Sequence, residues 1–76
     1  MDTASIEQMI RAGLPDATVN VTGNDGVHFE AHVISPSFSG KPTLQRHRLV
    51  YATLGKFMGN EIHALGLRTE APEEAG

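Results

Sequence analysis

The sequence predicts an α+β domain with the order α-β-β-α-β: a mixed three-stranded sheet with helices on one face. Three observations carry this. Two short runs of strict apolar/polar alternation, Ala17 to Thr22 and Val27 to Ile34, are separated only by Gly23-Asn24-Asp25-Gly26. Two stretches of helical period, near the N-terminus and after Pro42, flank that pair. A last strand-like run, Glu61 to Thr69, follows the second of them. Periods of 2.0 and 3.6 residues place apolar side chains on one face of a strand or a helix, so each pattern names its own element.

The first helix comes from Ile6, Met9 and Ile10, at i, i+3 and i+4. Asp2 or Thr3 can cap it, and Gly13 followed by Pro15 stops it. In the first strand Val19 and Val21 alternate with Thr18, Asn20 and Thr22. Gly23 to Gly26 reads as a turn, because Gly, Asn and Asp tolerate positive φ. In the second strand Val27, Phe29, Ala31 and Val33 share the core face, and His28, Glu30 and His32 share the other. So short a connection makes the pair an antiparallel hairpin.

Ser35 to Gly40 is an irregular connector. The second helix then carries an expected apolar stripe of Leu44, His47, Tyr51, Leu54 and Met58, widened by Val50 and Phe57 and weakened at its end by Gly55 and Gly59. It returns the chain to the edge where the second strand began, so the third strand runs parallel to the second, by a right-handed crossover. Residues 1–70 form one domain, and the polar residues 71–76 are expected to be a flexible C-terminal tail. Val19, Val21, Phe29, Val33, Val50, Leu54, Leu65 and Leu67 are the expected core.

A chain of 76 residues is one domain. It buries only about 60% of its unfolded surface, which leaves a thin stability margin. It has no cysteine, so disulfides and an oxidising compartment are not indicated, and any thiolate must come from a partner. No apolar run approaches the roughly 18–20 residues of a membrane span, and Met1 to Gly13 does not read as a signal peptide. The expectation is a cytoplasmic protein without a membrane role. Net charge is −3, which argues against nucleic acid as the main ligand, although Lys41, Arg46, Arg48 and Lys56 form a local basic cluster. Gly23-Asn24-Asp25-Gly26 matches the GxxG of KH domains in letters only, since that loop joins helices rather than strands. No nucleophile elbow, phosphate loop or paired catalytic carboxylates occur, so the chain is not expected to be an enzyme.

The histidines are the chemistry-bearing residues. In parallel strands two and three the N-terminal ends share an edge, which brings together His28 and His63, 35 positions apart. Imidazole suits zinc, copper and iron. Alternation opposes the pairing: His28 faces away from Phe29, whereas His63 shares a face with Leu65 and Leu67. The two converge only around the open end of the sheet; otherwise His63 is a hydrogen-bonded core histidine and His28 an ordinary strand-start residue. His47, on the helix stripe, is expected to be packed, and His32 to face solvent.

The run Phe38-Ser39-Gly40-Lys41-Pro42-Thr43-Leu44-Gln45-Arg46-His47-Arg48-Leu49-Val50-Tyr51, with Ile62-His63-Ala64-Leu65 after it, closely resembles the signature of the BolA family. That signature is an F-x-G-K core leading into an R-H-R-x-V helix, and then an I-H-A-L strand start. His28-Phe29 after a Gly-rich turn resembles the family's variable loop and second strand, so the resemblance covers nearly the whole chain. It implies a fold similar to the type II KH fold. It also implies a partner of monothiol glutaredoxins that shares a bridging [2Fe–2S] cluster with the glutaredoxin and glutathione, binds none alone, and is a monomer when alone. The resemblance assigns a metal-ligand role to His63 and a second ligand to the loop. The loop here lacks cysteine, so His28 is the substitute and Asp25 the weaker one. Thr69 to Glu74 resembles the T-x-x-P-E-E/x-W ending of one branch without its Trp. The alternative is a nucleic-acid-binding regulator of transcription and stress response, with Lys41, Arg46 and Arg48 as contacts. A third reading is zinc bound by His28 and His63 without a partner.

Overall fold

The computed structural model describes residues 1–75. Helix α1 spans Thr3–Gly13, with Asp2 as its N-cap accepting the Ser5 N–H at 2.8 Å. Strands β1 (Thr18–Thr22) and β2 (His28–Ile34) form the hairpin, a 3₁₀ turn follows at Pro36–Phe38, and α2 runs over Thr43–Leu54. Strand β3 (Ala64–Glu70) and a helical turn, α3 (Pro72–Ala75), complete the chain. The sheet order is β1-β2-β3, with β1 antiparallel and β3 parallel to β2. This is the predicted α+β topology.

Alternation places Val19, Val21, Phe29, Ala31, Val33 and Leu65 in a core closed by Ile6 and Ile10 of α1 and by Val50 and Leu54 of α2. Phe38, Ile62 and Ala71, from the connectors, are also fully buried there. Leu67 is only partly buried, and Val27, which precedes β2, is exposed. Helix α1 also covers the free edge of β1: Glu7 accepts the Val21 N–H at 3.0 Å, and Arg11 donates to the Val19 carbonyl at 3.2 Å. Backbone groups that would template another strand are thereby satisfied within the chain. Among the described residues no helix packs on the opposite face of the sheet, which presents Asn20, Thr22, Glu30, His32, Gly66 and Arg68 around a shallow depression of about 320 Å³.

Two expectations need correction. The buried stripe of α2 is Arg46, Val50 and Leu54, at i, i+4 and i+8, not the stripe beginning at Leu44, which is 61% exposed. The helix also ends earlier: Gly55 takes φ +51°, a conformation that glycine adopts freely, so Met58 lies beyond it.

Residues 71–75 are not a loose tail; Gly76 lies outside the described residues. Ala71 is buried, and the turn after it is held by Glu74, which takes both terminal nitrogens of Arg46 and accepts the Ala71 N–H at 2.9 Å. Ser39 donates to Glu73 at 2.7 Å from the connector. This turn packs on the start of α2 and covers Arg46, which continues the inner face that Val50 and Leu54 present to the core.

The Arg46 guanidinium, with the Ala71 N–H, holds the Glu74 carboxyl down to about 2 from its ordinary 4.5. A carboxyl depressed in the folded state stabilises it above the unfolded value and ceases to do so as protons bind. Docking of the turn is therefore expected to be complete above about pH 4.5 and to weaken as pH falls toward 2. The Ala71 amide resonance should report this, and Glu74→Ala should show the undocked signal already at neutral pH.

Candidate functional site

The parallel pairing of β2 and β3 sets His28 opposite Ala64 in register, one residue from His63. Both histidines are exposed, and their rings meet edge to face with centroids 5.2 Å apart. The alternation that opposed this pairing breaks just before β3. The Val27 carbonyl accepts from both the His63 N–H (2.8 Å) and the Ala64 N–H (3.1 Å). Two successive residues therefore share one acceptor, and both His63 and Ala64 are exposed. Ile62, fully buried and bonded through its N–H to the Phe57 carbonyl at 2.9 Å, anchors the segment from below and turns His63 outward.

The loop before β2 fixes the other ring. Asp25 Oδ1 accepts the backbone N–H groups of Val27 (3.0 Å) and His28 (2.8 Å), and its Oδ2 lies 2.6 Å from His28 Nδ1. These contacts, the His28 and Val27 amides first and the His28 ring after them, hold the Asp25 carboxyl well below the usual carboxylate range. The carboxylate oxygens that the sequence offered as a weaker ligand are thus engaged within the loop. Gly23 is required where the loop leaves β1: a Cβ there would lie 2.6 Å from Phe29 Cδ1 and 2.8 Å from the His28 carbonyl oxygen. Gly26 adopts φ +81° at the tip.

The remaining candidates lie elsewhere. His32 is half-buried on the open sheet face and pairs through Nε2 with Glu70 at 2.5 Å, beside Arg68. His47 is half-buried and stacks edge-on against Tyr51. Lys41 and Arg48 are exposed and, with Gln45 and Leu49, line a groove of about 300 Å³ on α2. Arg46 does not join them, because its guanidinium is turned inward to Glu74. Sequence reasoning missed the Arg46–Glu74 and His32–Glu70 pairs; neither has a local spacing signal, since the partners are 28 and 38 residues apart. The Asp25–His28 pair, at i, i+3, has one.

Among the described residues, no three potential ligands converge to hold an ion. What the site offers is two adjacent exposed imidazoles at one end of the sheet, a ligand set that thiolates from another chain can complete.

The model of the family described as "BolA-like protein" matches residues 10–74. The chain belongs to the BolA-like family. A BolA protein homologue from Coxiella burnetii has a solved structure that superposes with TM-score 0.88 at 47% identity, covering 99% of this chain and 96% of that one. A protein of Acinetobacter guillouiae encoded in the rpoN-murA intergenic region is 32% identical over 97% of this chain and 89% of its own length. The DNA-binding transcriptional regulator BolA of Escherichia coli is 36% identical over 72% of this chain, and the match spans 52% of that protein. The match to the BolA-like model takes in the loop, His28, His63 and Glu74, so the paired histidines and the Arg46–Glu74 contact lie within the matched residues. No helix among the described residues is long and apolar enough to cross a membrane.

Proposed function

We propose that this BolA-like chain is a binding module that supplies histidine ligands to a [2Fe–2S] cluster shared with a monothiol glutaredoxin and glutathione, and acts in cluster trafficking or in redox and iron sensing. The observation that carries this is the His28–His63 pair, two exposed rings 5.2 Å apart in a chain with no cysteine. His63 is the principal ligand and His28 the second. The thiolates come from the partner's cysteine and from glutathione. Imidazole in place of thiolate on one iron is established chemistry in Rieske centres, where it raises the reduction potential.

The experiment is co-purification with the host's monothiol glutaredoxin after anaerobic reconstitution, read by visible absorption and circular dichroism. A mixed complex should form with a spectrum distinct from that of the glutaredoxin's own cluster. A glutaredoxin spectrum that this chain leaves unchanged at saturating concentration would refute the reading.

The Escherichia coli relative's description favours a second reading, nucleic-acid binding through α2. Of the three expected contacts Lys41, Arg46 and Arg48, Lys41 and Arg48 are exposed, on a chain of net charge −3. Arg46→Glu is no test of it, since the new acid would face Glu74 and undock the C-terminal turn; Lys41→Glu and Arg48→Glu are the usable variants. Phosphate contacts must weaken with salt, so a DNA titration at two salt concentrations decides. Sequence-specific submicromolar binding at physiological salt, lost in both variants, would favour this second reading over the cluster.

A further inference from the structure

We infer that Asp25 is a positioning residue, a carboxylate behind the metal-facing histidine that sets the tautomer of His28 so that Nε2 is the ligating atom. The inference rests on the proposed cluster site and deepens it. Asp25 has its two oxygens in different employment: Oδ1 holds the turn by accepting the Val27 and His28 amides, and Oδ2 faces His28 Nδ1 at 2.6 Å. Carboxylate oxygens only accept, so the hydrogen in that contact belongs to Nδ1. A neutral imidazole carries one N–H, which leaves the Nε2 lone pair free for a metal. Among the described residues Nε2 has no hydrogen-bond partner. An imidazole without such a partner favours the opposite tautomer, with the hydrogen on Nε2, where it would block ligation through that atom.

The Asp25–His28 contact is therefore the arrangement by which metal-binding histidines are commonly oriented, with a carboxylate on the ring nitrogen away from the metal. It also explains how a flexible-looking Gly23–Gly26 turn presents a defined ligand: one side chain fixes both the backbone of the turn and the ring beyond it. Asp25 is not itself a ligand in this arrangement.

The separating variant is Asp25→Asn. Its amide oxygen can keep accepting the Val27 and His28 N–H groups, so the turn survives, while its NH₂ replaces Oδ2 and donates to Nδ1. The ring hydrogen then moves to Nε2. Nitrogen-15 NMR of the His28 ring in the metal-free chain, recorded where the ring spectrum shows a single N–H, should show Nδ1–H in the wild type and Nε2–H in Asp25→Asn, with the backbone amide spectrum otherwise retained. In the mixed complex with glutaredoxin, Asp25→Asn should weaken the cluster by roughly 10–100-fold, the usual effect of losing such a partner, and should add nothing in a His28→Ala background. A His28 ring that stays Nδ1–H in Asp25→Asn, or an equal Asp25→Asn effect with and without His28, overturns the inference. The ring measurement needs no cluster, so it decides the role of Asp25 in tautomer selection even if the wild-type chain fails to form the mixed complex, an outcome that counts against the cluster reading alone.

Discussion

Leu54→Ala is expected to destabilise the domain by about 2–5 kcal/mol, the range for emptying a leucine-sized space in a packed core. Leu54 is 1% exposed, at the point where α2 meets the sheet and α1. At roughly 0.05–0.15 kcal/mol per residue, a chain of 76 residues carries only about 4–11 kcal/mol in total. The loss would therefore take a large part of the stability, and Leu65→Ala, on the facing strand, should behave alike. Leu44→Ala is the internal control: with Leu44 61% exposed, the change should stay within about 0.5 kcal/mol. Urea unfolding of the three variants measures this. Near-neutral values for both Leu54→Ala and Leu65→Ala would show that the inner faces of α2 and β3 have been misassigned.

The largest functional effect is expected for His63→Ala, which should lose the spectrum of the mixed glutaredoxin complex or shorten the life of its cluster. Docking of the metal-free proteins should survive where it rests on other surfaces. His28→Ala should do less, since His63, the principal ligand, remains in place. His32→Ala should do least: it lies four residues farther along β2, roughly 13 Å at 3.3 Å per residue, and is engaged by Glu70. Matched reconstitution spectra and decay rates for the three variants are the measurement. If His63→Ala matches the wild type in both while His32→Ala does not, the ligands are on the open sheet face rather than at this end of the sheet.

Most of the fold was legible because its elements rest on local periodicity. Val19, Val21, Phe29 and Val33 had to share a face whatever the rest of the chain did, and a four-residue turn permits only an antiparallel hairpin. Parallel pairing of β2 with β3 followed from one intervening helix, and it put the starts of both strands, with His28 and His63, at one end of the sheet; whether the two side chains met was left open by alternation. The inner face of α2 is not encoded by hydrophobicity alone. Its apolar residues are spread around the helix, so hydrophobicity left the inward direction open. The inward stripe includes Arg46, whose partner Glu74 lies 28 residues away. Residues 71–75 read as solvated tail because an acidic, proline-containing segment has no core of its own; its order comes from contacts with Arg46 and Ser39, distant in sequence.

The order of elements, the mixed sheet and most of the core were thus readable from spacing along the chain and from simple connection rules, which made a meeting of His28 and His63 possible without requiring it. Tertiary structure alone decided three further matters. His63 turns outward because Val27 offers one carbonyl to two successive amides and Ile62 is drawn into the core. Arg46 leaves the basic surface because Glu74 folds back onto it. His28 has its Nδ1 engaged because Asp25 closes the turn behind it. The physical reason is common to all three: each depends on which polar group reaches a donor or acceptor first in three dimensions. No period in the sequence encodes that competition.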